Sequence, residues 1–210
     1  MIDLYTWNTP NGQKPAIMLE EIGLPYQIHP IDISKRAQHT AEFLAINPNG
    51  KIPAIIDRDI AGGRRVFESG AILVYLAEKA GKLLPSGGND RAEALAWTFW
   101  QVGGIGPSLG QWGHFSRSAP EKIPYAIDRY LDESIRLLTV LDRHLVDKTF
   151  IASDYSIADI MNYTWISGGL SFIRAAHADR VANLTALDRW ISTVGNRPAV
   201  IKGLEVLKSL

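Results

Sequence analysis

Strand-like runs stop abruptly in this chain. Up to residue 83, short β-branched segments alternate with helical ones. Beyond the Pro/Gly/Ser stretch 83-LLPSGGND-90, the apolar residues recur at helical spacing and strand patterns nearly vanish. Two periodicities in succession do not build one layer architecture. The expectation is therefore an α/β unit over residues 1–83, a linker over 84–89 and an all-helical unit over 90–210. At 210 residues there is enough chain to bury a substantial core.

In the first half, residues 2–5 and 26–33 read as strands, and Pro30 marks a bulge or a sheet edge. Between them, Lys14 to Ile22 has helical spacing, closed by Gly23 and Pro25; Pro15 fits if it lies in the first turn. The segment AEFLAINPNGKIPAIIDRD reads as a short helix, an Asn-Pro-Asn-Gly turn and a strand from Ala54 to Asp57. Gly62-Gly63 turns the chain into a strand from Arg65 to Phe67, and from Ser69 a helix carries Ile72, Leu73, Leu76 and Ala80 on one face. The order is β-α-β-α-β-β-α. In the second half, helices are expected from Ala92 to Phe115, Pro124 to Leu145, Ile157 to Phe172, Leu184 to Val194 and Val200 to Leu207. Ser156-Ile-Ala-Asp159 has the form of a capping box.

Composition removes several functions. Lys plus Arg and Asp plus Glu are 22 each, so no bulk field favours nucleic acid or an anionic membrane. No run approaches the ~18 consecutive apolar residues of a membrane span. The N-terminus has no basic region followed by an apolar one, so a cytoplasmic location is expected. His29, His39, His114, His144 and His177 lack metal-ligand spacing, and no Gly-rich loop has nucleotide-binding spacing; neither metal nor nucleotide is expected. There is no cysteine, which excludes disulfides, thiolate metal sites and any nucleophilic thiol of the protein's own.

Three motifs remain. The loop 6-TWNTPNGQKP-15 follows a strand and precedes a helix, where ligands of α/β domains tend to sit. Lys51-Ile52-Pro53 enters a strand: a cis bond there would turn the Ile52 main chain outward to pair with an extended peptide, whereas a trans Pro would simply start the strand. Phe67-Glu68-Ser69-Gly70 ends a strand and starts a helix. Ser69 is a suitable N-cap; equally, the helix N-terminus can take a carboxylate while Glu68 holds an ammonium group, which suits the α-amino acid end of a ligand.

Taken together, YTWNTPNGQK, NPNGKIPAIID, FESGAILVYLAEKAGKLLP and YSIADI resemble a cytosolic glutathione S-transferase over nearly the whole chain. FWQVGGIGPSLGQ and IPYAIDRY are most similar to the bacterial nu-class enzymes, which are glutathione-dependent disulfide reductases. The resemblance implies a thioredoxin-like N-terminal domain, an all-helical C-terminal domain, a homodimer, and glutathione as co-substrate. It implies that Ile52, before Pro53, pairs with the cysteinyl unit, that Glu68 and Ser69 hold the γ-glutamyl end, and that Gln38 helps hold the peptide. Lys51 is a partner for the glycyl carboxylate or a solvated lysine. Arg129 reaches the site from the helical domain or pairs with Glu133 one turn on. Thr9 and Asn11, where better-known members carry Tyr, Ser or Cys, are favoured over Tyr5 for lowering the thiol pKa. Trp7, Trp112 and Phe115 are candidates for the second-substrate wall. The implied activity is disulfide reduction by the glutathione thiolate, with transferase or peroxidase activity also open to it. The rivals are a conventional conjugating transferase and a non-catalytic binding module of the same fold.

Overall fold

A computed structural model describes residues 1–210. β1 (Ile2–Thr6) pairs in parallel with β2 (Tyr26–Pro30) and antiparallel with β3 (Ala54–Asp57), which carries β4 (Arg64–Phe67). The sheet order is β2-β1-β3-β4. A parallel pair needs a crossover, and α1 (Pro10–Ile22) supplies it. Side chains of β1 alternate between faces. Thr6 points to α1, its Oγ1 donating to the Gly12 carbonyl at 3.0 Å. Tyr5 takes the opposite face, stacked on His29 at 4.6 Å and tilted against Phe43 of α2 (Ala41–Leu44). α3 (Ser69–Ala80) packs beside α1 and buries Ile72, Leu73 and Leu76.

Two boundaries differ from the periodicity. β2 ends at Pro30, on an edge strand, and residues 33–39 form two 3-10 turns instead of continuing it. α1 starts at Pro10, because Thr9 caps it and proline suits the first helical position. Pro15 consequently lies in the second turn, where its ring removes the N–H that would meet the Asn11 carbonyl.

The helix expected from Ala92 to Phe115 is segmented. α4 (Gly88–Trp100) and α5 (Gly106–Gly113) are separated by a π-helical turn, Gln101–Ile105, and a second one, His114–Ser118, follows α5. Gly103, Gly104, Gly106 and Pro107 weaken the regular ladder at the first of these turns. α6 (Pro124–His144) buries Leu131, Leu137, Leu138 and Leu141 along one stripe. α7 (Ile157–His177) is buried through most of its length, and α8 (Thr185–Gly195) sets the fully buried Trp190 against it. Asp159 joins these parts: it accepts from Ser156 N–H (3.0 Å), Ile151 N–H (3.0 Å) and the Trp190 indole N–H (2.8 Å). Burial pushes its carboxyl above the ordinary value, against the pull of those donors.

By packing, Met1–Arg91 and Gly195–Leu210 form one compact unit and Ala92–Val194 the other. The last helix, α9 (Pro198–Glu205), thus departs from the helical domain drawn over 90–210. It lies on α1 so closely that a Cβ on Gly203 would stand 2.6 Å from the Ile17 Cα. Arg197 grips Glu21 with two bonds of 2.7 and 2.9 Å, and Lys202 pairs with Glu20 at 2.7 Å. No helix is long and apolar enough to cross a membrane.

Candidate active site

Within the first unit, Asn11, Asn47, Lys51, Ile52, Pro53, Glu68 and Ser69 line a cleft of about 200 Å³. They come from the N-terminus of α1, the loop before β3 and the β4–α3 junction. A larger cleft, about 450 Å³, lies in the second unit along α6 and gathers none of the three motifs.

The α1 corner is tightly built. Thr9 caps the helix, its Oγ1 accepting from the Gly12 N–H at 3.1 Å, so its own O–H remains a donor. A Cβ on Gly12 would fall 2.0 Å from the Trp7 carbonyl oxygen, so only glycine lets the helix start this close to the loop. Lys14, one turn inward, is 1% exposed. Its Nζ donates to Asn11 Oδ1 at 2.8 Å and to Ser69 Oγ at 3.2 Å. Burial brings its pKa down to about 7, with the charge of Glu68 pulling back upward. The sequence does not mark Lys14 or Gly12: a helical Lys and a turn Gly carry no signal of burial or close approach by themselves.

The second corner contains the Ile52–Pro53 peptide, whose bond is cis rather than trans. Asn47, buried and also missed, shapes this loop: its Nδ2 donates to the Lys51 carbonyl at 2.6 Å and its Oδ1 accepts from Asn49 N–H at 2.9 Å. The Asn-Pro-Asn-Gly run was the available clue, since Asn side chains bond their own turns. Gly50, at φ 63°, brings this loop against the Gln38 carbonyl.

At the third corner the N-cap of α3 is Glu68, not Ser69. Glu68 has φ 70° and ψ 120°, a conformation that L side chains rarely adopt, and it makes no capping bond. Ser69 is the first helical residue, and its oxygen is occupied by Lys14 rather than by the helix. Strain held at a cleft points to function there.

Residues 2–78 match the family described as the N-terminal domain of glutathione S-transferase. The disulfide-bond oxidoreductase YfcG of Escherichia coli K12 is 44% identical over 208 residues, covering 97% of this chain and 94% of its own. The chain belongs to the glutathione S-transferase family. A glutathione transferase of Pseudomonas putida, solved with one glutathione disulfide bound per subunit, is 42% identical over 98% of this chain and 91% of its own, with a TM-score of 0.92. A family member from Pseudomonas fluorescens Pf-5, solved with two glutathione bound, is 44% identical over 97% and 92%, with a TM-score of 0.90.

In this glutathione transferase fold the remaining candidates fall elsewhere. Thr9, Gln38 and Trp7 adjoin the cleft in sequence or packing but are not among its lining residues. Gln38 is half-buried, and its Oε1 meets no donor of the protein. Tyr5 is engaged with His29 and Phe43 on the far face of the sheet. Arg129, Trp112 and Phe115 belong to the second unit. Arg129 is exposed in the α6 cleft; Glu133 is held on both oxygens by Arg136 at 2.7 Å, and the Arg129 charge adds to the pull that keeps its carboxyl below the ordinary value. Trp112 is 7% exposed and Phe115 stacks on Tyr130 at 5.8 Å. No group of three or more His, Asp or Glu side chains is placed to hold a metal.

Proposed function

We propose that this chain is a nu-class, glutathione-dependent disulfide reductase acting as a homodimer in the cytoplasm. The observation that carries this reading is one cleft uniting an Asn at a helix start, the Ile52 main chain and the Glu68–Ser69 pair, in a chain without cysteine. Such a cleft can hold a peptide that brings its own thiol. Glu68 takes the γ-glutamyl ammonium, Ser69 and the α3 N-terminus its carboxylate, and the Ile52 main chain the cysteinyl unit. Lys51 faces the glycyl carboxylate, while Gln38 and Arg129 are assigned to the peptide by family resemblance. The Asn11 amide and Thr9 O–H stabilise the thiolate without acting as bases. Trp7, Phe115 and Trp112 remain assigned to the second substrate, although the burial of Trp112 leaves it the least contact.

The thiolate attacks one sulfur of a disulfide, forming a glutathionyl mixed disulfide and releasing the other half as thiolate. A second glutathione thiolate then attacks the glutathione sulfur of that intermediate, giving glutathione disulfide and the second thiol. Two glutathiones are oxidised for each disulfide reduced. Reduced glutathione at useful concentration is a property of the cytosol, which supports the location. Exposed Phe99, Val102 and Tyr125 on the second unit are consistent with a subunit contact.

Product analysis tests the reading: one glutathione disulfide should appear per small disulfide consumed, and any persistent adduct on the protein would exclude it. Thr9→Ala and Asn11→Ala should each move the rate–pH profile upward by about one unit while binding glutathione nearly as wild type. Unchanged profiles in both variants remove them from the mechanism.

A further inference from the structure

We propose that Lys14 is the positioning residue of this site, turning the Asn11 amide N–H groups and the Ser69 O–H toward the bound peptide. The proposal rests on the glutathione reading and deepens it. An ammonium group has donors and no acceptor, so whatever it bonds must present an oxygen. Nζ lies 2.8 Å from Asn11 Oδ1 and 3.2 Å from Ser69 Oγ. That bond fixes the Asn11 amide oxygen on Lys14 and so sets the orientation of the whole side-chain amide, in a residue that lines the cleft. Ser69 must accept from Lys14, which leaves its proton for a ligand oxygen. One buried cation thus orients a donor for the thiolate and a donor for the γ-glutamyl carboxylate, at two corners of the cleft that are far apart in sequence.

The energetics agree with such a role. A lysine 1% exposed is costly to keep charged. Its pKa of about 7 leaves it poised: an anion entering the cleft favours the ammonium form, and the ammonium form fixes both donors. Glu68 is the titratable group that acts on it; the Glu20–Lys202 and Glu21–Arg197 pairs between α1 and α9 lie toward the other end of the helix.

The test uses Lys14→Met, Asn11→Ala and the double variant, each compared with wild type for glutathione affinity and for the pKa of the bound thiol, read from thiolate absorbance. Lys14→Met should weaken glutathione about tenfold and raise the bound-thiol pKa by about one unit. Adding Asn11→Ala should raise that pKa no further, because Lys14 acts through Asn11. A folded Lys14→Met variant with wild-type affinity and thiol pKa overturns the proposal, and so do additive effects. Should Lys14→Met fail to fold, wild-type protein decides: the Lys14 side-chain titration followed by NMR should move upward by about one unit or more when S-methylglutathione is bound. An unmoved titration overturns the proposal. Absence of glutathione binding by wild type overturns the functional reading as well, which separates the two failures.

Discussion

Glu68 occupies a backbone conformation that glycine enters freely and glutamate does not, and it does so beside a cleft its side chain can serve. Holding such a residue costs about 1–3 kcal/mol. Glu68→Gly should therefore leave the protein about 1 kcal/mol more stable in denaturant unfolding, after the entropic cost of glycine, yet at least about tenfold weaker for glutathione. A loss of stability would show that the charge of Glu68 near Lys14 outweighs the strain. At this scale the sequence was legible where chemistry is local. Glu68 and Ser69 stand out because a strand ends and a helix begins there, and Asn11 because it opens α1. The capping role of Ser69 did not hold, since the bond it makes comes from Lys14, 55 residues away. No local pattern reveals that partner.

Elements were legible where turn residues bracket them, even for a strand buried on both faces. β3 lies at Ala54–Asp57 as its residues suggest, and α3 ends at Gly81 in the left-handed region. Boundaries moved where capping overrode periodicity, as at Thr9 and Pro10, and the π-helical turns around α5 leave no period of their own to read. α9 shows the limit most clearly. Its apolar positions announce a helix, but its seat on α1 depends on the missing side chain of Gly203. Gly203→Ala puts a methyl 2.6 Å from the Ile17 Cα, backbone that cannot rotate away. The expected cost is about 1–3 kcal/mol, seen as a lowered denaturant midpoint. An unchanged midpoint would mean that α9 slides along α1 without loss.

For the whole molecule, the change of periodicity near residue 83 separates strand-bearing from helical chain, while packing returns Gly195–Leu210 to the first unit. The candidate site draws on three segments of that unit and on a thiol the chain does not possess. A protein without cysteine must take both sulfur exchanges from thiols outside the chain, and the central claim is that glutathione supplies them. It is tested most directly by measuring reduction of a small model disulfide beside conjugation of an aryl halide, at fixed glutathione and on one preparation. Faster disulfide reduction, with one glutathione disulfide formed per turnover, is the predicted result. Conjugation without disulfide reduction would contradict it and make the chain a conventional transferase with an asparagine-based thiolate site.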